Sequence, residues 1–212
     1  MPEGNGARTA ILERIRKANA GIDAAAREAG HAQIERGYQQ TAVLTGAALV
    51  ELFMERLCEY DAQVYETNAE NVAAIVSNAL RVSEQKGALV AEGFPERWLP
   101  EGFAWRAETF ADTSAMSNAA GAVTTCEVAI AHTGSIVVRG ARRLTLLPDR
   151  LLCVVEERQI VETVPEALAR LESIASEPLT FISGPSATAD IEMTRIRGVH
   201  GPRFLDVVIV RD

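Results

Sequence analysis

The stretch 151–157, LLCVVEE, constrains this chain more than any other. It is a continuous apolar run of strand length, without the polar–apolar alternation of a strand that has one wet face. Such a run is stable when both faces of the strand are covered, as they are inside a parallel sheet. The chain closes on a second run of the same kind, DVVIV at 206–210. Further strands are expected at AQVYET, GALVAE and LTFIS, where β-branched and aromatic residues suit a pleated surface.

Between these runs the apolar spacing changes to that of helices. Leu49, Leu52, Phe53 and Leu57 share one face, as do Val72, Ile75, Val76, Ala79 and Leu80. Thr67 followed by Glu70 has the pattern of a capping box opening the second of these helices. Pro165 suits the first turn of a helix carrying Leu168, Leu171 and Ile174. The segment AGAVTTCEVAIAHTGSIVVRG reads as two strands broken at His132-Thr133-Gly134, and FPERWLPEGFAW as a turn region. Strands alternating with amphipathic helices predict an α/β fold with a mostly parallel central sheet flanked by helices. Upstream, Ile11, Leu12 and Ile15 mark a short amphipathic helix, and residues 19–47 are rich in Ala, Gly and Gln. The expected organisation is an N-terminal helix and flexible arm over 1–47 and an α/β domain over 48–212.

Charge and cysteine usage narrow the function classes. Lys and Arg total 21 against 29 Asp and Glu, a net charge of −8, which disfavours nucleic acid and anionic lipid as partners. Cys58, Cys126 and Cys153 are far apart and form no CxxC, so this chain is expected to carry no iron–sulfur cluster of its own and no disulfide framework. No ligand spacing among its histidines and acids supports a metal site. The N-terminus lacks a signal-like apolar segment, and no run approaches the roughly 20 apolar residues of a membrane span. The expected compartment is the cytoplasm.

Open parallel sheets bind ligands beyond the carboxyl ends of their strands. The polar stretch SGPSATADIEMTRIRGVHGP begins where LTFIS ends. In it, Gly184 permits close backbone approach, Ser186 and Thr188 offer hydroxyls, and Asp190, Glu192 and His200 are candidates for acid–base work. Spacing alone favours a capped turn with solvated acids over a site. In the HTGS turn, Gly134 takes the special backbone position, and Thr133 and Ser135 could donate to a ligand oxygen or serve ordinary hairpin chemistry. Glu127 lies just upstream. Arg142-Arg143 is an anion clamp or, more commonly, a solvated pair.

Together TTCEVAIAHTGSIVV, LLPDRLLCVVEERQIV and SGPSATADIEMTRIRGVHGP closing on DVVIV resemble the lactate-utilisation (LUD) domain family, of the lactate utilisation protein C type. The resemblance is strong over 120–212, looser over 48–118, and includes ILERIRKA. It implies a fold like that of ribose-5-phosphate isomerase and the coenzyme A transferases. It also implies a role in oxidising L-lactate to pyruvate beside iron–sulfur partner proteins, with a small carboxylate or phosphate ligand, or a partner's cofactor, bound near 183–192. The family's motif positions fall on Gly184, Pro185, Ser186, Thr188, Asp190, Glu192, His200, Gly201 and Pro202, with Thr133 and Gly134 in the other turn. Related sequences often carry an acid where His132 stands, so no role passes to that side chain. Two other readings remain open at this level. One is a stand-alone isomerase or acyl-CoA transferase with Glu127 or Glu192 as nucleophile. The other is a non-catalytic assembly module.

Overall fold

The computed structural model describes residues 4–21, 23–84, 87–107, 112–140, 142–189, 195–198 and 200–211. They form two compact units, 1–38 and 39–212, whereas the sequence pattern places a boundary at 47/48. The first unit holds helix α1 (Gly4–Asn19) and helix α2 (Ala24–Ala32). Asp23 caps α2 by accepting from the Ala25 amide at 3.1 Å, and Ile11, Leu12 and Ile15 of α1 are exposed.

The second unit is built on a six-stranded parallel sheet. Its strands are β1 (Gln63–Thr67), β2 (Gly87–Val90), β3 (Ala104–Ala107), β4 (Ala122–Thr125), β7 (Arg150–Glu156) and β12 (Phe204–Val210), in the order β1-β12-β7-β4-β2-β3. The last strand of the chain thus enters the middle of the sheet, between β1 and β7. Pleating divides its apolar run and that of β7 between two cores. Leu151, Cys153, Val155, Leu205, Val207 and Ile209 face helix α3 (Gly46–Glu59) through Val50, Phe53 and Leu57. Leu152, Val154, Val208 and Val210 face helix α4 (Val72–Leu80) through Val72, Val76, Ala79 and Leu80. Helices on both faces are the reason the runs are continuous; each large side chain so buried contributes about 1.5–3 kcal/mol.

A second, four-stranded sheet has the order β8-β5-β6-β9, with β5 (Val128–Ile130), β6 (Ser135–Arg139), β8 (Ile160–Val161) and β9 (Leu179–Ile182). Ala129, Ile136, Val138 and Ile160 join the α3 core, and the opposite face packs under helix α5 (Val164–Leu171). Helix α5 is held by a capping box between Thr163 and Glu166. A hairpin of β10 (Ala187–Ala189) and β11 (Arg195–Arg197) precedes β12. Among the described residues no helix is long and apolar enough to cross a membrane.

Several local expectations need correction. TTCEVAI is not one strand: β4 ends at Thr125 in the parallel sheet, and β5 starts at Val128 in the other. Thr67 ends β1 and opens no capping box; α4 begins at Val72 behind Asn71, whose side chain makes no capping bond. The turn region at 94–105 contains the start of β3, anchored by Trp105, whose indole donates to the Pro100 carbonyl at 3.1 Å. The strand LTFIS is β9, paired antiparallel to β6. Cys126 and Cys153, distant in sequence, meet in the core as free thiols, and the hydrogen bond to Cys153, together with burial, pushes the Cys126 thiol well above its ordinary range.

Candidate functional site

The antiparallel pairing of β9 removes the premise that the stretch after it lies beyond the carboxyl edge of a parallel sheet. That edge does carry a cleft of ≈ 460 Å³, with Asn68 and Glu70 after β1, Glu156 and Arg158 around the end of β7, and Val210 and Arg211 closing β12. The segment following β9 leads instead to the amino ends of β7 and β12.

The contacts of the described residues sort the candidates into three groups. Thr133, Gly134, Ser135 and Gly184 form the first. Thr133 Oγ1 donates to Ser135 Oγ at 2.7 Å, and Ser135 Oγ lies 2.6 Å from Ser183 Oγ, joining the β5–β6 turn to the end of β9. Both glycines have positive φ, and both lie against the last turns of α3. A Cβ on Gly134 would stand 2.9 Å from Arg56 Cβ, and one on Gly184 2.5 Å from Tyr60 Cβ. Arg56 and Tyr60 are one helical turn apart, so the two glycines are docking points for a helix. These hydroxyls already satisfy one another, which is turn chemistry.

Ser186 and His200 form the second group. The Ser186 amide donates to the Pro202 carbonyl at 2.8 Å, its carbonyl accepts from the Gly198 amide at 2.9 Å, and its Oγ accepts from the His200 amide at 3.2 Å. Ser186 therefore closes the base of the β10–β11 hairpin and presents Gly198, His200 and Gly201 to a cleft of ≈ 830 Å³. Its other walls are Ser117, Arg142, Leu146, Asp149 and Arg203. Arg203 is held there by a two-pronged pair to Asp149, at 2.5 and 2.7 Å. Thr188 contributes backbone pairing in β10, opposite Ile196. Asp190 and Glu192 lie outside the described residues.

Glu127 stands apart from both groups. It accepts from Arg139 Nε at 2.8 Å, and Arg139 also reaches Glu177. A half-buried carboxylate tied to a surface arginine is an edge clasp. Among the described residues no group of three or more His, Cys, Asp or Glu is placed to hold a metal.

Two buried acids escaped the sequence reading. The Glu162 carboxylate, 4% exposed, accepts from Gln39 Nε2 at 2.8 Å and from the Val43 and Leu44 amides at 2.5 and 2.6 Å, and lies 3.2 Å from His132 Nε2. It pins residues 39–44 to β8, and gives His132 a structural partner. Hydrogen bonding, first of all from the Leu44 amide, lowers its pKa. A carboxyl depressed in the folded state stabilises above its unfolded value, about 4.3, and that contribution is lost as pH falls through the folded value. Glu162→Gln is therefore expected to lower Tm at neutral pH and to flatten the acid limb of a Tm-against-pH profile. An unchanged acid limb would refute this. The second acid, Asp206, is the single charge inside the β12 run; a charge in a strand covered on both faces was the available signal.

Over residues 3–210 the chain matches the LUD domain family. It is 36% identical over 181 residues to lactate utilization protein C of Deinococcus radiodurans, across 82% of this chain and 84% of that protein. A protein of the same name from Bacillus pumilus is 26% identical across 92% of this chain and 90% of its own length. The crystal structure of a DUF162 family protein from Deinococcus radiodurans matches with a TM-score of 0.68 and 32% identity, covering 79% of this chain and 99% of that one.

Proposed function

This chain belongs to the LUD domain family, and from that premise we propose that it serves lactate utilisation, as a component of an L-lactate to pyruvate oxidation system acting beside iron–sulfur partner proteins. The observation that carries this reading is the shared identity with lactate utilization protein C across most of both chains. In this reading an anionic group binds near the polar segment that follows β9. The cleft between the β10–β11 hairpin and the loop before β7 combines Arg142, Arg203 and His200 with the Ser117 hydroxyl. Gly198, His200 and Gly201 of the polar segment line this cleft, and its volume leaves room for a small anion together with part of a partner's cofactor.

The test is genetic and biochemical together. A strain lacking its equivalent component regains growth on L-lactate when this chain is supplied, and the purified chain alone oxidises no lactate. Arg142→Ala and His200→Ala each reduce rescue while Tm stays within about 2 °C of the parent, as surface changes within ±0.5 kcal/mol would give. Full rescue by both variants sinks the assignment of this cleft; failure of the parent chain to rescue sinks the lactate reading.

A further inference from the structure

On the far side of Arg203 from the wide cleft, a recess of ≈ 370 Å³ opens at the amino ends of β1, β7 and β12. Parallel register puts Gln63 beside Asp206, and Asp206 beside Leu152. Alternation then places Tyr65, Arg150, Phe204 and Asp206 on one face of the sheet, the face that α4 covers farther along. Helix α4 leaves this end open. Asn78 and Ala79 of its last turn, with Asp61 before β1, form the outer wall.

The floor of the recess is a buried charge arrangement. Asp206 is fully buried and accepts from Arg150 Nη1 at 2.5 Å and from the Tyr65 hydroxyl at 3.4 Å. Burial raises the pKa of Asp206, against the pull of the Arg150 guanidinium, and burial also raises that of Tyr65. The guanidinium lies over the Phe204 ring at 4.7 Å, with Arg203 at 5.8 Å from the same ring. The other donors of Arg150 have no acceptor among the described residues, and its side chain, 13% exposed, lines the recess. A buried ion pair is a poor way to gain stability compared with apolar packing. An oriented arginine with a free edge, next to a phenol and an amide in a cavity, is a good way to bind a small acid.

We propose that this recess binds a small monocarboxylate bearing a neighbouring hydroxyl or keto oxygen, with the free edge of Arg150 taking the carboxylate and Tyr65 and Asn78 facing the second oxygen. Charge disfavours a dianion more than a monoanion. Arg150 is already matched by Asp206 and Arg203 by Asp149, so neither guanidinium has charge left over for the second negative oxygen of phosphate. The recess is argued from geometry alone; only the choice of L-lactate and pyruvate as probes rests on the proposed function.

Amide-resolved NMR titration of the full chain with L-lactate, pyruvate and inorganic phosphate tests it. Expected are saturable shifts for L-lactate or pyruvate that include residues 61–65 and 78–79, with phosphate clearly weaker. Asn78→Asp, at an exposed helical position, weakens that binding roughly tenfold or more with Tm unchanged, and Arg150→Lys, which keeps a charge for Asp206 but loses the fork, also weakens the binding. The proposal is overturned if neither acid saturates, if phosphate binds more tightly, or if Asn78→Asp binds as the parent does. Binding that is lost in Asn78→Asp while growth rescue persists upholds the recess and removes its link to lactate growth. Binding by a parent chain that fails to rescue upholds the recess and counts against the lactate reading alone.

Discussion

Arg150→Met is expected to destabilise the protein by about 3–5 kcal/mol, because it strands the fully buried Asp206 carboxylate. For a chain of this size that corresponds to a fall in Tm of roughly 6–20 °C. The Tyr65 hydroxyl, at 3.4 Å, is too distant to replace a guanidinium. The loss should shrink in acid, and the sign follows from linkage. Burial raises the Asp206 pKa in the folded protein, so between its unfolded and folded values the folded state holds the proton more tightly, and stability falls as pH rises through that window. Removing Arg150 widens the window upward. Scanning calorimetry at pH 5 and pH 8 should therefore show a larger deficit at the higher pH. Arg150→Met with Asp206→Leu should recover most of the loss, since an apolar pair of similar volume does not need the charge. A single variant as stable as the parent at pH 8 would mean that Asp206 is satisfied in some other way.

The second large effect is expected at Gly184. Its φ is +87°, and an added Cβ would stand 2.5 Å from Tyr60 Cβ, an atom fixed to the end of α3. Neither the strained backbone nor the overlap can be relieved by turning a flexible side chain. Gly184→Ala is expected to cost about 2–5 kcal/mol, combining the left-handed backbone penalty with overpacking. Gly102, with φ +91° and nothing within 4 Å of its would-be Cβ, is the matched control. Gly102→Ala should cost only the backbone part, about 1–2 kcal/mol. Chemical denaturation followed through Trp98 and Trp105 would separate the two. Equal losses would show that the contact with Tyr60 is not what makes Gly184 necessary.

Much of the architecture was legible because it is written in short windows. The runs at 151–155 and 206–210 announce strands covered on both faces, and the helical stripes at 49–57 and 72–80 supply the covers. The site was less legible. The stretch 183–202 read as one polar segment, but its parts serve different neighbours. Gly184 docks on α3, Ser186 closes a hairpin, and His200 faces a cleft. The flanking residues that answer them lie more than 100 positions earlier in the case of Tyr60, and some 50 positions earlier in the case of Asp149. No local pattern encodes such a pairing.

Local periodicity and burial preference, carried within stretches of five to fifteen residues, were sufficient by themselves to determine that this chain is α/β with a mostly parallel sheet, and its motifs together resembled the LUD family. Only the tertiary structure decided that β9 leaves the parallel sheet, and that β12 returns between β1 and β7. That insertion brings Tyr65, Arg150 and Asp206 from three distant segments onto one face. Strand order is set by how the cores close around the sheet, a property of the whole chain, and so the charges that line the recess could be recognised only after the sheet was assembled.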